Sequence, residues 1–256
     1  MIGGYTAERV SANNQFDNYL IQRHLFAYNY AAQRVTGTVL EIGCGEGYGY
    51  SVLKERVDHY VGVDKIDVNS TAWTSRNADF FRMKVPLLRN IPSNIFDFVI
   101  AFQVIEHIED DQFFAEEISR VLKKGGKLLL STPNKKASFT RNPWHIREYE
   151  AADLTARLRS CFSNTQVYGL NGSENLKKYL VQHKSQVDKI LKWDLLQLEK
   201  RLPRQMLKVP YNLFNYLNKI LVYKKNGNLV NNIFPDDFIL GESKEDSLDL
   251  FVVAVK

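Results

Sequence analysis

Short apolar runs alternate with longer segments of helical periodicity along most of the chain. Runs of about four to eight apolar residues between polar or glycine residues are typical of buried strands, whereas apolar positions spaced by three and four are typical of helix faces. This alternation predicts an α/β fold whose successive strands pair in parallel through right-handed crossovers. The predicted strands cover residues 38–42, 60–64, 78–83, 95–102, 127–132, 165–170 and 248–255.

The same pattern divides the chain into three parts. They are a helical lead-in (1–36), a core (37–172 and 247–256) and a helical insertion (173–246). In the insertion, the spacing predicts one amphipathic helix that starts near Leu176 and ends at Pro203, because proline cannot continue a helix. A second helix is predicted after Pro210. Lysine and arginine outnumber the acids in this part of the sequence.

A glycine-rich turn follows the first predicted strand. Its pattern, E-x-G-x-G-x-G, is formed by Glu41, Gly43, Gly45 and Gly47. Strand, glycine turn and helix together bring bare backbone and a helix N-terminus close to a ligand. A dinucleotide-binding turn would carry a third glycine at position 48, where this sequence has Tyr48. The alternative is an ordinary glycine turn of an α/β protein.

The second predicted strand ends at Asp64, about twenty residues after the glycines, where an acid commonly binds ribose hydroxyls. A carboxylate can accept hydrogen bonds from both vicinal hydroxyls at once. The alternative is that Asp64 or Asp67 caps the following segment.

These motifs resemble those of the class I S-adenosylmethionine-dependent methyltransferases of the small-molecule type, with Glu41 to Gly47 as motif I and the run 127–134 as a further familiar stretch. The resemblance implies a Rossmann-like, doubly wound, seven-stranded sheet, mostly parallel with an antiparallel last strand, and S-adenosylmethionine as cofactor. Residues 84–86 depart from the family, which usually carries an aspartate near the adenine there. The implied cofactor-binding residues are Glu41, Gly43, Cys44, Gly45, Gly47, Asp64, Lys65, Met83, Ala101, Phe102 and Gln103.

Residues that suit catalysis and acceptor binding follow the fourth and fifth predicted strands. His107 is the best candidate for a general base, because imidazole titrates near neutral pH. The alternative is that His107 is a structural residue, hydrogen-bonded under the sheet. In the loop after the fifth strand, His145, Arg147 and Tyr149 are predicted to bind an anionic or hydroxylated acceptor, although Arg147 and Glu148 could instead only hold the loop in place.

Composition and charge limit the expected location and partners of the protein. No apolar run is long enough for a transmembrane span, no signal-peptide core is present, and only two cysteines occur, so we expect a cytoplasmic protein without a disulfide framework or metal site. The net charge of +5 is mild, and no nucleic-acid-binding module is recognised. The basic insertion is predicted to be a lid or an oligomer contact, or alternatively a peripheral contact with anionic lipid.

The predicted function is therefore methyl transfer from S-adenosylmethionine to a small-molecule acceptor, at oxygen. A nicotinamide-dependent oxidoreductase is the second hypothesis, and Tyr48 in place of the third glycine argues against it. A protein that binds S-adenosylmethionine without turnover is the third, and Asp64 and His107 favour an enzyme instead.

Overall fold

The structure is a computed structural model, and it describes residues 15–66, 77–191 and 201–256. Within these residues eight strands form one sheet and six α-helices surround it. The strands are β1 (Thr38–Ile42), β2 (His59–Asp64), β3 (Ala78–Arg82), β4 (Phe96–Phe102), β5 (Leu122–Pro133), β6 (Asn164–Gly172), β7 (Phe238–Glu242) and β8 (Asp249–Val255). The helices are α1 (Asn18–Ala32), α2 (Tyr48–Leu53), α3 (Asp111–Val121), α4 (Ala151–Arg159), α5 (Glu174–Leu191) and α6 (Arg204–Asn231).

The strand order is β3-β2-β1-β4-β5-β8-β6-β7. The first five strands in this order pair in parallel, whereas β8 pairs antiparallel with both β5 and β6. The predicted Rossmann-like fold and its antiparallel last strand are confirmed. The sheet has one strand more than predicted, because β7 adds antiparallel to the outer edge of β6. This strand is short and contains Gly241, so its sequence gives little strand signal.

The sheet is buried on both faces, which explains why its central strands are continuously apolar. Val39 of β1 points to the layer that holds α1 and α2, whereas its neighbour Leu40 packs in the core on the side of α3 and α4. The same alternation continues through β4, where Ile100 and Ala101 face opposite layers. The carboxyl ends of the parallel strands therefore lie at one edge, where ligands of such sheets bind.

The first helix of the insertion begins as predicted, but the second does not. Helix α5 spans Glu174–Leu191, and the predicted continuation over residues 192–200 lies outside the described residues. Helix α6 begins at Arg204 and contains Pro210, so the predicted start after Pro210 is wrong. Proline removes the hydrogen bond to the carbonyl of Met206, and that residue lies at the surface, where water can replace the lost donor. Among the described residues no helix is long and apolar enough to cross a membrane.

An ion pair connects the first helix to the last strand. The guanidinium of Arg23 in α1 makes two hydrogen bonds to the buried carboxylate of Asp249 in β8. Arg23 therefore has a structural role, since its guanidinium holds α1 against β8.

Candidate functional site

The glycine turn is bound to the end of β2 by its own backbone. The N–H groups of Gly43 and Cys44 both donate to the carbonyl of Val63, over 2.8 and 3.3 Å. Gly43, Gly45 and Gly47 have φ values of 77°, 52° and 85°, a left-handed conformation that favours glycine. The spacing of glycines in the sequence is thus explained by the path of this turn.

Space around the turn differs from glycine to glycine. A Cβ atom on Gly43 would lie 2.6 Å from Cγ2 of Val104, and one on Gly49 would lie 2.1 Å from Oε2 of Glu41. A Cβ atom on Gly45 would meet nothing within 4 Å. The turn therefore packs tightly at both ends and leaves its middle accessible to a ligand.

Asp64 lies beside this open position. Its Oδ2 accepts a hydrogen bond of 3.0 Å from the N–H of Gly45, and its Oδ1 accepts one of 3.1 Å from the N–H of Ile66. Asp64 thus supports the turn and its own loop, and each carboxylate oxygen still has acceptor capacity for a second hydrogen bond. The side chain is partly exposed, so a ligand hydroxyl can reach it. The other capping candidate, Asp67, lies outside the described residues.

Glu41 lies buried beneath the turn. The hydroxyl of Tyr28 donates to its Oε1 over 2.5 Å, and Oε2 has no hydrogen-bond partner among the described residues. Burial, together with the negative charge of Asp64, raises the pKa of Glu41 to about 7, although the hydrogen bond from Tyr28 opposes this. A buried acceptor without a partner beneath an open turn suits a cationic ligand group above it.

The remaining predicted cofactor residues lie around the same strand ends. Cys44 is buried, and burial raises the pKa of its thiol. Lys65 is exposed after β2, and the N–H of Met83 donates to the carbonyl of Asp64 over 2.7 Å. Ala101 is fully buried in β4.

Two of these residues mark the end of β4. The ring of Phe102 packs against Tyr28 and Phe251, with ring centroids 5.3 and 5.6 Å apart, so it belongs to the core on the α1 side. Gln103 has a φ of 56°, and its side-chain amide donates to Oγ of Ser131 over 3.1 Å. Its left-handed conformation ends β4 and turns the chain toward His107.

His107 and His145 lie together at the carboxyl ends of β4 and β5. Their ring centroids are 5.1 Å apart. Nδ1 of His107 lies 3.1 Å from the carbonyl oxygen of Trp144. Because a carbonyl only accepts, Nδ1 carries the proton and Nε2 is the basic nitrogen of the neutral ring.

The ring of His145 is oriented from both sides. Its Nδ1 lies 2.7 Å from Oε1 of Glu148, and its Nε2 lies 2.8 Å from Nδ2 of Asn142. The N–H of Trp144 donates to Oδ1 of Asn142, which fixes the direction of that amide. Nε2 of His145 is therefore the acceptor, and the imidazole is held in one tautomer.

Glu106 fastens this loop to the sheet, a role that the sequence did not indicate. Its carbonyl accepts from the N–H of Ile146 over 2.7 Å, and its buried carboxylate accepts from Oγ1 of Thr132. Burial raises the pKa of Glu106, although the neighbouring histidines oppose this. Glu106, His107 and His145 have donor atoms within 4.8 Å of one another, a set that could hold a metal ion.

Arg147 and Tyr149 both contact Asp111, at the start of α3. The Tyr149 hydroxyl donates over 2.7 Å, and the Arg147 guanidinium forms an ion pair with the same carboxylate. Although burial opposes it, these hydrogen bonds hold the pKa of Asp111 below its ordinary value. Tyr149 is buried in the core, whereas Arg147 lines the pocket described next. The prediction that both bind the acceptor stays a prediction.

A pocket of about 510 Å³ opens beside His145. Its wall is rich in cations, whereas Glu148, its one acid among the described residues, is hydrogen-bonded to His145. The lining residues are Lys135, Ser138, Phe139, Thr140, Arg141, Asn142, His145, Arg147, Glu148 and Arg204. The sequence did not single out Lys135, Arg141 or Arg204 as pocket residues, because Arg204 lies far along the chain from the loop that holds the other two.

The fold and the site define an α/β protein with an open glycine turn beside a partly exposed carboxylate, at the sheet edge where ligands of such folds bind. The sequence model of a methyltransferase-domain family matches residues 14–181. The chain is 30% identical to a probable S-adenosylmethionine-dependent methyltransferase of Mycolicibacterium smegmatis over 98% of its own length and 94% of that protein. It is 34% identical to one of Mycobacterium tuberculosis over 70% of this chain and 68% of that one.

A solved structure from Thermotoga maritima, an S-adenosylmethionine-dependent methyltransferase described as a possible histamine N-methyltransferase, has the same fold. Its TM-score is 0.55 at 15% identity, and the match covers 93% of this chain and 92% of that one. The chain therefore belongs to the class I S-adenosylmethionine-dependent methyltransferases. The predicted enzyme class and cofactor are confirmed, and the nicotinamide-dependent alternative is set aside.

Proposed function

We propose that this methyltransferase methylates an oxygen atom of a small-molecule acceptor that binds in the pocket beside His145. The observation that carries the proposal is the orientation of His107. The Trp144 carbonyl holds its proton on Nδ1, so Nε2 is the basic nitrogen, and the ring centroid lies 5.1 Å from that of His145, which lines the pocket. A hydroxyl acceptor needs such a base, because it must lose a proton as it is methylated.

The residues around the glycine turn fit the cofactor. Asp64 has acceptor capacity for the ribose hydroxyls, and the open backbone at Gly45 allows close approach. Glu41 places beneath the turn a buried carboxylate oxygen that has no hydrogen-bond partner in the described part of the chain, which favours a cationic amino-acid end above it. We assign Cys44, Lys65, Met83 and the end of β4 to the same cofactor site.

The lining of the pocket points to an anionic acceptor. Arg141 and Arg204 lie on its wall together with Lys135, which also pairs with Glu150 over 3.3 Å, and the one acid among the described lining residues is hydrogen-bonded to His145. Carboxylate and phosphate groups are what arginine recognises best, because its planar fork matches their geometry. Arg147 is assigned a positioning role, because its guanidinium is already paired with Asp111.

The chemistry is an in-line displacement. S-adenosylmethionine, when bound, would supply a methyl group on a cationic sulfur, and the sulfur would leave as a neutral thioether when the carbon–sulfur bond breaks. His107 takes the acceptor proton at Nε2 while the new carbon–oxygen bond forms, a contribution of about 10²–10⁴-fold in rate. The pocket holds the acceptor in line, and alignment of this kind is worth up to roughly 7–11 kcal/mol.

The proposal is tested by following transfer of a labelled methyl group to a panel of small hydroxyl compounds with and without a carboxylate or phosphate. We expect turnover with the anionic members, and an at least tenfold rise in KM when Arg204 is replaced by alanine. Asp64→Ala should weaken S-adenosylmethionine binding at least tenfold in calorimetry. Asp79→Ala is its matched control, because Asp79 is an exposed acid of β3 that pairs with His59.

Three outcomes would count against the proposal. Turnover confined to amines would refute the oxygen target. Preference for neutral acceptors would refute the anionic pocket. Unchanged cofactor affinity in Asp64→Ala would refute the assigned cofactor site.

A further inference from the structure

One face of α6 is apolar and turned away from the protein. Met206, Val209, Leu213 and Tyr216 recur every three or four residues, so they form one stripe along the helix. Their exposed fractions are 62%, 78%, 60% and 42%. We call these four residues the outer face of α6. Leu221, also exposed, extends the apolar surface by another turn.

The outer face is not the side by which α6 packs on the fold. Leu207 and Val222 are buried, and Val222 belongs to the cluster that α6 forms with α5, β6 and β7. Asn218, on the same inner side, is buried, and its Nδ2 lies 3.2 Å from Nε2 of His183 in α5. The helix therefore has two apolar faces, one covered by the protein and one left in water. A contiguous exposed apolar surface of this kind marks a contact with a partner or a membrane.

Charge identifies the partner. Helix α6 has 28 residues and contains no aspartate or glutamate. Of its cations, Lys219 is paired with Asp17 over 2.6 Å and Lys208 lies 4.2 Å from the centre of the Trp144 ring. Arg204, two residues before Met206, and Lys224, eight residues after Tyr216, are exposed. An exposed apolar stripe on a helix that carries cations and no acids is the pattern of a helix that lies in the surface of an anionic membrane.

A second copy of the chain fits this surface less well. Two outer faces in contact would bring together two helices that carry cations and no acids, and those like charges would repel. An anionic lipid surface accepts the apolar side chains and pairs with the exposed Lys224 at the same time.

We propose that the outer face of α6 binds the surface of anionic lipid membranes. The inference is independent of the proposed acceptor, but the two features adjoin, because Arg204 at the start of α6 also lines the acceptor pocket. Bound in this way, the enzyme would present its pocket next to the lipid surface.

Vesicle cosedimentation of the full chain tests the inference. We expect binding to vesicles of phosphatidylglycerol mixed with phosphatidylcholine, little binding to phosphatidylcholine alone, and loss of binding as salt is raised. The double variant Val209→Glu/Leu213→Glu should bind the anionic vesicles at least about tenfold more weakly, because it removes two inserted side chains and adds two negative charges.

The matched control is Phe234→Glu/Ile239→Glu, which makes the same changes at two residues that are 56% and 52% exposed outside α6. It should bind like the unaltered protein, and circular dichroism should show that both variants are folded. Equal binding to neutral vesicles, or equal loss in both variants, would overturn the inference. The inference would also be overturned if the protein did not bind vesicles and instead formed an oligomer in sedimentation velocity that Val209→Glu/Leu213→Glu dissociates and the control variant does not. Vesicle binding is measured without turnover, so its failure is distinct from a failure of the proposed function.

Discussion

The hydroxyl of Tyr28 donates a 2.5 Å hydrogen bond to Oε1 of Glu41, and this contact joins helix α1 to the strand that leads into the glycine turn. Both side chains are buried. The lead-in helix therefore supports the strand before the glycine turn directly, beyond covering the sheet. It also keeps an ionisable acid in a position where its charge depends on pH.

The free energy of unfolding should depend on pH through Glu41. Burial raises the pKa of this acid from 4.5 in the unfolded chain to about 7 in the fold. The fold therefore favours the protonated acid, and this stabilisation is full below about pH 4.5 and is lost as the pH rises through about 7. The loss amounts to about 3 kcal/mol.

Denaturant unfolding of Glu41→Gln without cofactor checks this, because glutamine resembles the protonated acid at every pH. Between pH 4.5 and pH 8, the free energy of unfolding of the original protein should fall by about that amount relative to that of the variant. Parallel pH profiles would show that Glu41 does not carry the effect.

Replacement of His107 by alanine should slow methyl transfer by about 10²–10⁴-fold and leave the affinity for S-adenosylmethionine unchanged. A base works only when it is unprotonated, so the fall in kcat toward acidic pH should also disappear from the profile of the variant. His59→Ala is the control, because His59 is paired with Asp79 away from the pocket. A slower enzyme that keeps the acidic limb of its profile would make His107 a structural residue.

Chelation of divalent metal should leave methyl transfer unchanged. The potential metal-ligand atoms of Glu106, His107 and His145 lie within 4.8 Å of one another, but both ring nitrogens of His145 already have hydrogen-bond partners. The Glu106 carboxylate is likewise engaged by Thr132. Activity assays before and after dialysis against EDTA decide the matter. A loss that added Mg²⁺ or Zn²⁺ restores would make this cluster a metal site.

Asp249→Ala should destabilise the fold by about 3–5 kcal/mol, because it leaves the guanidinium of Arg23 buried without its counter-charge. Glu245→Ala removes one partner of Lys136 at the surface, and there the free energy of unfolding should change by less than about 1 kcal/mol. Chemical denaturation of both variants is the measurement. Equal stability of the two would mean that the α1–β8 ion pair contributes little.

The sequence predicted the parts of the fold that are locally encoded. The apolar strands and the glycine turn at Gly43 to Gly47 are determined by a few neighbouring residues, so the sequence alone is enough to predict them. The cap of α3 is also a local contact, since Asp110 accepts from the N–H of Phe113 three residues later. Strand β7 was missed because its pairing with β6 depends on backbone contacts far apart in the chain.

The surroundings of the predicted catalytic loop could not be derived in this way. Tyr149 and Arg147 both contact Asp111, a residue 38 and 36 positions earlier, which no local spacing reveals. The orienting groups Trp144 and Asn142 also act through backbone and amide atoms, whose directions depend on the folded loop. Residue types indicated the chemistry, whereas the three-dimensional contacts determined which side chains are available for it.

The position of β8 between β5 and β6 has a consequence for biosynthesis. On the ribosome, β5 and β6 emerge long before the strand that must separate them, because residues 173–248 are translated in between. Until then both strands keep unpaired edges, and such edges invite pairing with other chains. We therefore expect the nascent chain to depend on chaperones at this stage, and the slow step of folding to be the late insertion of β8.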